Sequence, residues 1–201
     1  MVAIRVSSFF EGIPFVAENL ATLTAVLLVY PPVMLSFKSR ERIQYWSLTK
    51  ENLWPSAKAM LLMCIVIFPL SFLGYHLFQG FLGGSYHSGK MNDWLFYTVI
   101  QVFVIAFPEE FFFRGFMQEA IDKVIKPKWK IFGAPFGLGH VLVCFIFAFS
   151  HSLILLQWWH GLIFFPALLF TWLKEKTGNI WAGSVFHGLC NLFSYWVAVH
   201  Y

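Results

Sequence analysis

Charged residues interrupt the chain so sparsely that five stretches contain none: residues 19 to 37, 59 to 89, 94 to 108, 131 to 173 and 177 to 201. A helix that crosses a bilayer needs about 20 predominantly apolar residues. The fourth run is long enough for two such helices. Gln157, Trp158, Trp159, His160 and Gly161 near its centre supply interfacial aromatics and a turn residue for a hairpin between them. The third run is short, and reaches a spanning length only with the charged segment that follows it. The pattern therefore predicts six helices, near residues 14 to 37, 57 to 79, 92 to 122, 138 to 157, 160 to 175 and 178 to 199. The third is expected to leave the hydrocarbon and continue along the surface, with residues 116 to 130 as an amphipathic piece against lipid. Pro31 and Pro32 are expected to kink the first.

Composition agrees with this reading. Of 201 residues, 59% are hydrophobic, only 14 are Lys or Arg and 10 Asp or Glu, and the mean hydropathy is +0.68. A soluble domain is roughly a quarter charged, so a soluble globular protein is excluded, as are a disordered chain, a fibrous one and a nucleic-acid-binding module. The fold class expected is all-α: a polytopic integral membrane bundle of about six transmembrane helices. It forms a single domain over residues 1 to 201, with a motif-bearing core at about 92 to 199.

The net charge of +4 reports orientation rather than a nucleic-acid partner. Three alternate loops carry eleven cations: Lys38, Arg40, Arg42, Lys50 and Lys58; Lys123, Lys126, Lys128 and Lys130; Lys174 and Lys176. The other side carries Arg5 and Lys90, with Arg114 set aside as part of a helix. Cytoplasmic loops are enriched in Lys and Arg, which predicts basic loops inside and both termini outside. The first helix reads as a retained span, since its apolar stretch is long, contains Glu18 and lacks a small-residue cleavage site. Cys64, Cys144 and Cys190 lie singly in apolar runs and are expected to be buried and reduced.

Ionisable and amide groups inside the spans carry the functional information, because each is costly in hydrocarbon. Three clusters stand out. In Glu109-Glu110-Phe111-Phe112-Phe113-Arg114, Glu110 and Arg114 are four apart, the favoured order for an ion pair along one helix face. Glu109 is rotated about 100° away and has no partner on its own helix; a carboxylate shielded from water suits a general base. The bland reading is that both acids only tie helices together through Arg114. In the second cluster, Phe147 precedes His151 by one turn and can pack on its ring, although a lone membrane histidine is more often interhelical glue. In the third, His187 and Asn191 share a face of the last helix, where two donors can converge on one oxygen as an oxyanion hole. Gly188 between them permits close approach of another helix or of a substrate.

Taken in order, Glu-Glu-x-x-x-Arg, Phe-x-x-x-His and His-x-x-x-Asn on successive apolar helices resemble the CAAX prenyl endopeptidase family of intramembrane proteases, also called the CPBP or ABI family. The resemblance covers residues 100 to 195, while helices 1 and 2 share only their hydrophobicity with it. It implies that Glu109 activates water with help from His151, that His187 and Asn191 stabilise the oxyanion, and that Glu110, Arg114 and Phe147 support them. The implied substrate is a membrane-tethered or exported protein, cleaved near its carboxyl end, with membrane lipids as the surroundings. The small size and lack of added domains lean toward a prokaryotic plasma membrane.

Three alternatives stay open at this stage. Glu109, His151 and His187 could instead form a three-ligand zinc set, although no cofactor is required by the favoured scheme and no His-Glu-x-x-His motif is present. A non-enzymatic membrane partner or immunity factor could retain the fold. A haem-binding protein, pairing His187 and His200 with His140 and His151, would leave the carboxylates unexplained. The remaining histidines have bland readings: His76 and His160 near helix ends, His87 in a loop, His140 and His200 interfacial. The helix ends predicted above also carry a conflict. They set Glu109 near the basic side and His151 about 13 residues, roughly 20 Å, into helix 4.

Overall fold

The computed structural model describes residues 14–38, 47–48, 51–91, 93–155 and 157–201. Among them the chain forms six helical bodies: α1 (Pro14–Lys38), α2 (Leu53–Phe81), α3 (Trp94–Val124), α4 (Leu138–Leu155), α5 (Phe164–Thr177) and α6 (Trp181–His200). The six predicted helices are all present with ends shifted by a few residues, and α1 runs on through Pro31 and Pro32. The Trp-rich hairpin between α4 and α5 is a short 3-10 turn, Trp158–Ile163. Of the basic residues used for orientation, Arg5, Arg40, Arg42 and Lys50 lie outside the described residues.

Three of these helices, α1, α2 and α3, are long and apolar enough to cross a membrane. In α2, Leu61, Leu62, Ile65, Leu70, Leu73 and Leu77 are all exposed. A helix that is apolar on every side and unburied by protein is solvated by lipid. The core instead lies among α3, α4, α5 and α6, where Phe113, Val143, Phe147, Ala167, Phe170, Leu173 and Phe186 pack into one cluster.

The third helix departs from expectation in a way that decides the site. It is continuous over Trp94–Val124, about 46 Å at 1.5 Å per residue, and its charged second half does not lie along the surface. Glu110, Arg114 and Gln118 are buried, because neighbouring helices supply their partners. Residues 116 to 124 are thus the last turns of this helix, packed against α4 and α5. Glu109 sits 15 residues before the end of α3 and His151 13 residues after the start of α4. Antiparallel helices bring the two to one level, and the conflict of depth disappears.

After α3 the all-α pattern has one small exception. Trp129–Ile131 and Ala134–Phe136 pair as antiparallel strands β1 and β2, turned by Phe132 and Gly133 at positive φ. The Trp172 indole N–H donates to the Ile131 carbonyl at 2.9 Å and Lys176 Nζ to the Phe132 carbonyl at 3.0 Å, which fastens this hairpin to α5. Gly178, at φ +73°, ends α5 with its N–H on the Lys174 carbonyl, the left-handed helix stop that glycine adopts without strain. The buried Asn179 amide then donates to Ser56 Oγ at 2.8 Å, joining the start of α6 to the start of α2.

Helices α6 and α3 approach closely at Gly188. A Cβ there would stand 2.6 Å from Val102 Cγ2 and 2.9 Å from Val102 Cα, so α6 rests directly on the backbone of α3. Gly188→Ala should therefore push the two helices apart and destabilise the protein by about 1–3 kcal/mol, read as a lower thermal midpoint in detergent. Adding Val102→Ala should recover only part of the loss, because the backbone contact remains. An unchanged midpoint for Gly188→Ala would mean that this packing is not tight.

Candidate active site

The two adjacent acids occupy a four-residue α-helical stretch, Phe107–Glu110, between two π-helical segments, Ile100–Ala106 and Phe111–Gln118. Wider turns of this kind alter which way successive side chains point and recur at functional sites. Here both acids reach α6, although neighbours on a regular helix diverge.

Glu110 is the hydrogen-bonded member. Its Oε1 accepts from Arg114 Nη1 at 3.0 Å and from His187 Nδ1 at 3.0 Å. Arg114 has no exposed surface. Its Nη2 donates to the Ala167 carbonyl at 3.2 Å, and its guanidinium lies 4.4 Å from the centre of the Phe147 ring and 5.4 Å from that of Phe170. A buried cation is tolerated only when its charge and most of its hydrogen bonds are answered; Glu110 on α3, Phe147 on α4 and Ala167 and Phe170 on α5 answer this one, while its Nε has no hydrogen-bond partner. Gly183 on α6 completes the fit, since a Cβ there would stand 3.4 Å from Glu110 Oε2.

Glu109 is held differently. Its Oε2 is buried without a hydrogen bond, 3.6 Å from His151 Nε2 and 3.8 Å from His187 Nε2. The other nitrogens of these rings fix their states. His151 Nδ1–H donates to the Phe147 carbonyl at 2.7 Å, so the neutral ring presents a bare Nε2. The ion-paired Glu110 carboxylate can only accept, so His187 Nδ1 carries a proton. Donation from His187 Nε2 then requires the doubly protonated ring, which differs from the neutral donor expected from spacing alone.

The expected contact of Phe147 with His151 is present, with ring centroids 4.5 Å apart. Phe147 does more than that, since it also faces Arg114 and packs edge-on to Phe113 and His187. Asn191 lies one turn beyond His187, half-buried, and makes no hydrogen bond to a described residue. Sequence reasoning missed Phe170, whose ring stacks on that of His187 at 4.5 Å and 16°, and the Ala167 carbonyl. Neither carries a signal of its own in an apolar run. Beside His151, Ala148, Phe149, Ser152, Gly161 and Phe164 line an apolar cleft of about 270 Å³ between α4 and the start of α5.

Two readings need correction. His140 is not interfacial: it is wholly buried, with Nε2 3.0 Å from Asp122 Oδ2. The four histidines of the haem reading do not form facing pairs. His151 and His187 address Glu109, His140 addresses Asp122, and His200 Nδ1 is bonded to the Trp196 carbonyl on its own helix.

The sequence model of the family described as Type II CAAX prenyl endopeptidase Rce1-like matches residues 91–193, just over half of the chain. The chain belongs to this family. No curated protein and no solved structure matches it. The match begins just before α3 and ends within α6, and so takes in every residue of the site while leaving out α1 and α2. This Rce1-like chain is thus an integral membrane protein of a protease family, as the three motifs implied.

The geometry separates the adjacent acids. Glu110→Gln should leave Arg114 buried beside a neutral amide and cost about 3 kcal/mol or more, seen as a large fall in thermal midpoint. Glu109→Gln, at a position whose Oε2 accepts no hydrogen bond, should melt within a few degrees of the wild type. Equal losses would mean that both acids serve only to hold helices together.

Proposed function

We propose that this Rce1-like protein is an intramembrane endopeptidase with Glu109 as its general base. The observation that carries the reading is the Glu109 Oε2 atom: buried, free of hydrogen bonds, and within 4 Å of two imidazole nitrogens on two other helices. An orphaned buried carboxylate oxygen is costly unless it has a use.

A water between Glu109 Oε2 and His151 Nε2 would give one hydrogen to each, since the 3.6 Å between these acceptors is a gap that one water can bridge. Its lone pair is then free to attack the scissile carbonyl carbon. Glu109 takes the proton as the new C–O bond forms, and later delivers it to the leaving amide nitrogen as the C–N bond breaks. The developing oxyanion is met by His187 Nε2–H of the doubly protonated ring and by the unengaged Asn191 amide. Glu110 supports that ring by accepting from its Nδ1, and Phe170 holds its plane. Arg114 and Phe147 position Glu110 and His151. No metal enters these steps. Glu109, His151 and His187 do not bring three donor atoms within 4.8 Å of one another, whereas another group of residues does.

The substrate proposed is a membrane-tethered or exported protein with an extended, apolar cleavage segment. The cleft beside His151 supports entry from the bilayer, because its Phe149 and Phe165 are exposed on the lipid-facing surface. We place the basic loops in the cytosol and both termini outside, in a prokaryotic plasma membrane. A phosphatase reporter fused after Tyr201 should be active; activity of a cytosol-dependent reporter there would reverse the orientation.

The chemistry is tested by variants in a proteolysis assay on the membrane proteome. Glu109→Gln should abolish the shortening of the substrate protein in a chain that still folds and inserts. Asn191→Ala should lower turnover by about 10²-fold while leaving substrate binding nearly unchanged, the pattern of a lost transition-state donor. Full proteolysis by Glu109→Gln would end the general-base assignment. Full biological effect from that same variant would favour the non-enzymatic partner.

A further inference from the structure

A second, largely buried polar cluster lies outside the catalytic motifs, twelve residues further along α3 than Glu110. Asp122 stands in the last turn of α3, His140 in the first turn of α4 and Glu175 in the last turn of α5. His140 Nε2 is 3.0 Å from Asp122 Oδ2 and 3.9 Å from Glu175 Oε1. One donor atom from each residue lies within 4.8 Å of the other two. A tetrahedral zinc ion with bonds of about 2.0–2.2 Å to nitrogen and oxygen has donor-to-donor edges of roughly 3.4 Å. The two measured separations bracket that value.

A further observation points to a missing ligand: His140 has no exposed surface, and the Oδ1 of Asp122, beside the Oδ2 that meets His140, is buried with no hydrogen-bond partner. Acids are also dense here: Glu119 and Glu175 pair with Lys174, and Asp122 with His140.

We propose that Asp122, His140 and Glu175 form a binding site for a divalent transition-metal ion of the zinc class. His140 binds through Nε2 as the neutral ring, with its proton on Nδ1. Gln118 Nε2 and Lys174 Nζ, each 2.8 Å from Glu175 Oε1, hold that carboxylate in position from outside the ligand set. The ion ties together the ends of the three helices that carry Glu109, His151 and Phe170. Its role is to fix their relative positions, and it takes no part in hydrolysis.

The test uses tag-free, full-length protein in detergent, stripped by a chelator and dialysed against Zn²⁺. Wild type and His151→Ala should each retain one zinc ion per chain, and Asp122→Asn and Glu175→Gln should retain almost none. Zinc should raise the thermal midpoint of the first two proteins and leave the last two unmoved. At a temperature where the stripped wild type stays folded, its turnover should equal that of the zinc-loaded protein. Co²⁺ in place of zinc should give a visible absorption band that Asp122→Asn lacks, which keeps the reading open to test if Glu175→Gln fails to fold. Absence of bound zinc in the wild type would overturn the proposal. So would zinc that survives Asp122→Asn and is lost with His151→Ala, which would move the metal to Glu109, His151 and His187.

Discussion

A guanidinium sealed from solvent in an apolar bundle imposes stronger conditions on its neighbours than any other group in the chain. Arg114 must find acceptors and polarisable faces within reach or not be buried at all. It finds a carboxylate one turn earlier on its own helix, a backbone carbonyl on α5, and aromatic rings on α4 and α5. Each of these contacts restricts the rotation and depth of a helix. Glu110, once claimed by Arg114, has one oxygen in place for His187 on α6. The ion pair thereby sets four helices in register, and the chemistry proposed at Glu109 inherits its geometry from a pair that takes no direct part in it.

The adjacent glutamates show how one helix serves stability and reactivity together. Glu110 has an oxygen with two donors, while Glu109 has an oxygen with none. Stability would favour satisfying both. Leaving buried oxygens unsatisfied, Oε2 of Glu109 and Oε2 of Glu110, costs free energy that the Arg114 network and the aromatic packing offset. The π-helical segments on either side make the arrangement feasible, since they allow consecutive side chains to address the same neighbouring helix.

Around this core the polarity of the bundle is layered. The exposed Leu and Ile residues of α2 suit lipid and carry no chemistry, which accords with a family match confined to residues 91–193. Toward the basic loops a further network links Gln118, Asp122, His140, Thr171, Lys174 and Glu175. Helices α3 and α4 carry polar side chains at both levels, joined by α6 at the level of Glu109 and by α5 at the level of Asp122.

Much of this was legible before any coordinates. Helix number and approximate ends follow from runs of apolar residues, a property of neighbouring positions only. The Glu110–Arg114 pair and the Phe147–His151 stack are four-residue spacings, and helical geometry alone makes them contacts. The depth of Glu109 was not legible, because the charges after it suggested an exit into water; partners on other helices keep that segment inside. The same limit hid His140, Phe170, the Ala167 carbonyl and the protonation pattern of His187. What the sequence determined by itself were contacts within one helix and the apolar character of whole spans. Which carboxylate meets which imidazole, and at what depth, depended on partners up to 78 residues away, and only the packing of helices against one another decides such distances.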